Sequence, residues 1–185
     1  MKNIPNILTI LRLLACPLLV YLFTVANYLW ILIIFVLACL TDFFDGYLAR
    51  KKNFKSNFGK VLDPIADKLL IITMCILIII YHDIGVIEVA FYIIIIREIA
   101  VSLLRFNLAN DNENIDVSLL SKYKTFFQMI AIGGFVIVYG IKWNKFNWTF
   151  ELFTLSFSQF FIWFAAFITV ITGMQHFKTF LKLKK

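Results

Sequence analysis

Between two apolar runs, "LWILIIFVLACL" and "LLIITMCILIII", the chain carries "TDFFDGYLARKKNFKSNFGKVLDPIADK" over residues 41–68. Four carboxylates stand at the ends of this stretch. Asp42 and Asp45 are three residues apart, and Asp63 and Asp67 are four apart. Those separations place each pair on one face of a helix. If the flanking helices fold antiparallel, their ends meet and the four acids face one another. Four negative charges in a partly dehydrated place repel, so each needs a partner. Arg50, Lys60 and Lys68 are near enough in sequence to serve. Interfacial salt bridges would explain any one acid, as would Asp63 acting as an N-cap before Pro64 in a first turn. The four together are better explained by a hard divalent cation of the Mg2+ or Mn2+ type, which takes oxygen ligands, keeps waters and accepts substrate phosphate oxygens. The stretch has no histidine or cysteine, which argues against zinc. Gly46 and Ala49 leave the acid face without bulk about one turn on, as a flat ligand or a close backbone approach needs. Ordinary small-residue packing between membrane helices explains those two equally well.

The elements that must hold these acids are set by composition. The chain has 185 residues, 62% hydrophobic and 16% charged, with mean hydropathy +0.88. A soluble domain would be about half apolar and about a quarter charged, so lipid is the expected solvent. No polar stretch is long enough for a soluble domain, so residues 1–185 read as one membrane domain. The basic, apolar start lacks a small-residue cleavage site, and Arg12 and Pro17 interrupt it, so it reads as a retained first helix. Runs near 7–25, 29–49, 62–81, 84–104, 124–142 and 150–174 predict six transmembrane helices in an all-α fold. Arg50, Lys51, Lys52, Lys55 and Lys60 crowd one loop, and Lys178, Lys182, Lys184 and Lys185 close the chain. Together they predict that both termini are cytoplasmic. The net charge of +7 is read for anionic membrane lipid and not for nucleic acid. Cys16, Cys39 and Cys75 lie singly in apolar runs and read as small buried hydrophobes. His82 and His176 read as interfacial residues, and the 21 phenylalanines as packing or lipid-facing residues.

Written as a pattern, the opening stretch is D-x2-D-G-x2-A-R-x8-G-x3-D-x3-D, from Asp42 through Arg50 and Gly59 to Asp67. It resembles the signature of the CDP-alcohol phosphatidyltransferases at every fixed position. "NIPNILTILR", "LDPIADK", "REIAVSLLR" and "KYKTFFQM" are similar to a bacterial branch of that family, the phosphatidylglycerophosphate synthases. Ser121 departs from the glycine frequent there, and the last third is only weakly similar. The resemblance implies a six-helix homodimer in the bacterial inner membrane, with its active site facing the cytoplasm. It implies CDP-diacylglycerol and sn-glycerol 3-phosphate as substrates and two divalent ions held by Asp42, Asp45 and Asp63, with Asp67 close by. Within that reading, Asp67 is the expected general base. Gly46 and Ala49 give room to cytidine, Gly59 belongs with them, and Arg50 meets a nucleotide phosphate. Asn6, Thr9 and Arg12 repeat every three residues on one face and are candidates for lining the nucleotide site; capping and snorkelling account for them about as well.

A phosphate-bearing acceptor needs cations. Arg97 lies inside the fourth apolar run beside Glu98, and an arginine there is a functional candidate by default. Arg105, eight residues on, shares its face, and Lys122 and Lys124 open the fifth helix. These four are assigned to the acceptor-phosphate pocket. The competing explanations are an Arg97–Glu98 pair and plain snorkelling of the other three. A sibling enzyme that makes cardiolipin or phosphatidylinositol phosphate shares the signature and differs only in this pocket. A small cation channel or transporter would instead place acids near mid-membrane on several helices.

Overall fold

Apolar runs bounded by turn residues become helices, because lipid leaves the backbone no other partners than its own. The computed structural model describes the backbone of residues 4–52, 57–110, 119–142 and 148–183, with side chains for 7–41, 65–104, 120, 123–140 and 152–181. Among them every regular element is helical: α1 (Ile4–Thr24), α2 (Tyr28–Lys52), α3 (Asn57–Tyr81), α4 (Glu88–Asn110), α5 (Leu119–Lys142) and α6 (Trp148–Leu183), with a 3-10 turn at Gly85–Ile87. Each predicted run overlaps one helix. Three stretches of the described residues are long and apolar enough to cross a membrane: Ile7–Thr24, Tyr123–Gly140 and Leu152–Leu181. Tyr28–Thr41 is a shorter apolar helix.

The helix ends differ from the predicted ones, and one difference corrects a reading. α3 begins at Asn57, so Asp63 and Pro64 lie inside it and Asp63 is not its N-cap. α2 runs through the aspartate motif to Lys52. Hydropathy marks where lipid stops, whereas the hydrogen-bond ladder continues through polar residues. The basic end "ARKK" further suits the C-terminal pole of the α2 dipole. For the same reason α6 reaches Leu183, nine residues past its predicted end at 174.

Between α1 and α2 the chain turns on a left-handed residue. Asn27 N–H donates to Leu22 O (3.0 Å) and Ala26 N–H to Phe23 O (3.1 Å), with Ala26 at φ 51°. This is a Schellman cap with alanine where glycine is usual. Ala26→Gly is expected to stabilise the fold by about 1 kcal/mol, read as a higher midpoint of thermal unfolding in detergent. An unchanged or lower midpoint would contradict the strain assigned to this cap.

The bundle core gathers Leu19, Phe23, Phe35, Met74, Ile78, Phe91, Ile132 and Phe135. α1 packs on α3 and α2, and α6 on α5 and α4. Close approach uses small residues, as membrane helices do: a Cβ added at Gly134 would lie 3.2 Å from Ser158 Cβ across the α5–α6 contact. α6 shows how lipid inverts the soluble pattern. Its outward row, Phe153, Phe160, Phe167 and Met174, is spaced by seven and at least half exposed. Its buried row is Ser158, Ile162, Ala165, Thr169, Thr172 and His176, spaced by three or four and largely polar. His176, expected at the interface, is therefore buried. At the ends of α1 and α3, His82 stacks on Tyr139 with ring centroids 3.5 Å apart. Its Nε2 also lies 3.4 Å from the Tyr28 hydroxyl, so His82 belongs to an aromatic cluster.

Candidate active site

Charged side chains inside an apolar bundle must be partnered, and the partners define the site. On α1, Thr9 and Arg12 fall on the buried face, Arg12 at 2% exposure. The Arg12 guanidinium donates to the Asp67 carboxylate of α3. The Arg12 side chain is 1% exposed and that of Asp67 34%. The arginine is thus enclosed, while the acid reaches a more open space.

The next residue, Lys68, points about 100° around α3, toward α4. Its Nζ donates to Ser102 Oγ at 2.6 Å and stands 4.0 Å from Glu98 Oε2. Ser102 Oγ itself donates to the Glu98 backbone carbonyl at 2.6 Å. Glu98, 4% exposed, is the hub of the group. It accepts from Lys124 Nζ of α5 and from Arg97 Nη1 at 3.2 Å. Arg97 also donates through Nη2 to Thr172 Oγ1 of α6 at 2.9 Å. Thr172 passes its own hydroxyl hydrogen back to the backbone of α6, with Ile168 O at 2.9 Å and Thr169 O at 3.1 Å. Beside it, Gln128 Nε2 of α5 donates to Thr169 Oγ1 at 3.3 Å. Gly173 makes room for the arginine stem, since a Cβ there would lie 3.3 Å from Arg97 Cγ. On its other side that stem helps line an apolar cleft of ≈ 340 Å³ with Ile93, Ile96, Leu104 and Phe177. Arg97 thus keeps its carbons against apolar surface and its guanidinium among polar groups.

One belt of polar contacts therefore joins α1, α3, α4, α5 and α6. It includes Asp67, Arg97 and Lys124, three of the predicted site residues, while Thr9 is described as buried on α1. Arg97 and Lys124 both contact Glu98, so the Arg97–Glu98 pair offered as the competing explanation is present. The remaining assignments rest on backbone alone. Asp42, Asp45, Gly46, Ala49 and Arg50 lie on the last turns of α2, and Gly59 and Asp63 on the first turns of α3. Asn6 lies at the start of α1, Arg105 near the end of α4 and Lys122 in the first turn of α5. The side chains of all these residues lie outside the described residues. Among the described residues no three His, Cys, Asp or Glu form a metal-binding group. Asp67 is the one motif acid whose side chain is described. The donor set still fits a hard cation in chemistry. Four carboxylates on two consecutive helices, with Asp45 and Asp63 each about two turns from the 53–56 link, supply only oxygen ligands.

Sequence reasoning did not foresee the parts played by Ser102 and Thr172, and it treated Glu98 only as a possible mate for Arg97. The available signal for Thr172 was the three- and four-residue spacing of Thr and Ser in a helix otherwise rich in phenylalanine.

Residues 2–171 match the family described as CDP-alcohol phosphatidyltransferase. The chain is 41% identical, over 96% of its length and 97% of the relative's, to a Rickettsia typhi protein named CDP-diacylglycerol--glycerol-3-phosphate 3-phosphatidyltransferase. A Bacillus subtilis protein of the same name is 39% identical over 78% of this chain and 70% of its own. One from Wigglesworthia glossinidia brevipalpis is 46% identical over 70% and 74%.

Proposed function

The chain belongs to the CDP-alcohol phosphatidyltransferase family, and from that premise we infer that it moves a phosphatidyl group from CDP-diacylglycerol to sn-glycerol 3-phosphate. The products are phosphatidylglycerophosphate and CMP, and the protein is a membrane-embedded transferase of phospholipid synthesis. The observation that carries this reading is similarity along nearly the whole chain to relatives named for that reaction. The belt agrees with it. Arg97, Lys124 and Lys68 converge on one Glu98, which brings together the cationic donors that a phosphate monoester needs.

Asp67 is our general base. It takes the proton from the acceptor hydroxyl as that oxygen attacks the phosphorus bearing diacylglycerol, and the bond to CMP breaks. Arg12 orients the Asp67 carboxylate. Arg97, Lys124, Arg105 and Lys122 bind the acceptor phosphate and aim its hydroxyl. Gly46, Ala49, Gly59, Arg50, Asn6 and Thr9 form the nucleotide side. Asp42, Asp45 and Asp63, with Asp67 nearby, would hold two divalent ions, Mg2+ or Mn2+, whose chemistry when bound is to neutralise charge developing on the pyrophosphate.

The architecture we propose around this site is a single membrane domain of six crossings, both termini and the active site cytoplasmic, in the inner membrane of a bacterium and paired as a homodimer. The turns at 25–27 and 82–84 carry no Lys or Arg and residues 142–149 carry only Lys142 and Lys145, whereas the 50–60 segment carries five, a balance that supports that orientation.

Incubation of purified protein with CDP-diacylglycerol and a panel of acceptors tests the reading through CMP release. Glycerol 3-phosphate is expected to drive release and a divalent chelator to stop it. Release with phosphatidylglycerol or inositol phosphate, but not with glycerol 3-phosphate, would move the chain to a sibling activity.

A further inference from the structure

We propose that Glu98 is the positioning residue of the acceptor pocket, the fixed counter-charge that gathers three cations from three helices to meet the acceptor phosphate. The inference rests on the glycerol 3-phosphate reading and deepens it.

Glu98 is enclosed, its side chain 6% exposed, and a lone buried carboxylate at that depth is costly. Here it is met by Lys124 from α5, Arg97 from its own helix and Lys68 from α3. The cations have the converse problem. Arg97 and Lys124 are 10% and 4% exposed in their side chains and would repel one another without an anion between them. One carboxylate solves both. With no acceptor present it keeps the cations apart from lipid and fixed in rotamer. With a dianionic phosphate present, the same three cations are already gathered to meet it. A glutamine there keeps the shape and removes the charge that anchors them.

Thr172 completes the placement. Arg97 reaches it at 2.9 Å, and because the Thr172 hydroxyl spends its hydrogen on its own helix, it can only accept from the arginine. The threonine therefore holds one arm of the fork while Glu98 holds the other. Glu98 acts on the acceptor only through Arg97, Lys124 and Lys68.

The test compares wild type, Glu98→Gln, Glu98→Asp and Thr172→Val as full chains in detergent, with KM measured separately for each substrate. Glu98→Gln is expected to raise the glycerol 3-phosphate KM about tenfold or more and to leave that for CDP-diacylglycerol within about twofold. Glu98→Asp, which keeps the charge, should recover part of the loss, and Thr172→Val should shift the same KM in the same direction by less. If Glu98→Gln does not fold, the other two variants decide on the same measurement. An unchanged glycerol 3-phosphate KM, or equal rises for both substrates, would overturn the inference. Wild-type protein that releases CMP only with acceptors lacking a phosphate would instead overturn the functional reading, and that result is seen before any variant is compared.

Discussion

Asp67→Asn is expected to lower turnover by about 10²- to 10⁴-fold while CDP-diacylglycerol and divalent metal still bind. Asparagine has nearly the size of aspartate, and its carbonyl oxygen still accepts from Arg12, so the orientation of the side chain survives. It cannot take a proton from the acceptor hydroxyl. The substitution has a second effect that must be separated from the first. Arg12 is enclosed, its side chain 1% exposed, and removing the negative charge of its partner costs stability. The expected signature is a lowered unfolding midpoint with binding intact and turnover collapsed. Arg12→Gln is the complementary variant: it removes the guanidinium that orients the carboxylate but leaves the base, so turnover should fall by less than in Asp67→Asn. Turnover within a few-fold of wild type in Asp67→Asn would remove Asp67 from the role of base.

The Asp67–Arg12 pair also shows what was legible from sequence and what was not. The acids were visible because their spacing is local: three and four residues are a property of one helix. Thr9 and Arg12 were visible on one face for the same reason, but Asp67, to which Arg12 donates, lies 55 residues away, and no periodicity reports which helix a face meets. Lys68 was read as a possible mate for the aspartates and reaches Ser102 and Glu98. It follows Asp67 directly, and consecutive residues on a helix point about 100° apart, so one serves α1 and the other α4. Glu98 illustrates the limit of adjacency. Its neighbour Arg97 suggested a pair, yet the feature that makes it a hub is the arrival of Lys124 and Lys68 from other helices. Asp63 is no cap because the apolar run at 62–81 does not mark the start of its helix, and α3 begins five residues before that run, at Asn57. The polar row of α6 was masked by composition, because phenylalanines on the lipid side dominate any window that ignores which way each residue faces.

Arg97→Ala should raise the glycerol 3-phosphate KM about a hundredfold, with CDP-diacylglycerol affected by no more than a few-fold. The size follows from the loss of a charged, enclosed donor to a dianion, an interaction worth about 2–5 kcal/mol when one partner is truncated. The direction follows from placement. Arg97 lies on the α4 side of the belt, joined to α6 through Thr172, while the aspartate motif lies on α2 and α3. Truncation also leaves Glu98 with Lys124 and Lys68, so its carboxylate stays compensated and the bundle should stay folded. Arg97→Lys separates charge from shape. A lysine restores the positive charge but not the fork that spans Glu98 and Thr172, so it should recover only part of the affinity. Full recovery by lysine would mean that the pocket needs charge alone and that Thr172 has no part in it. If alanine raised both KM values alike, Arg97 would be a structural member of the belt, and the acceptor phosphate would have to be met by Lys124 and the cations nearer the helix ends.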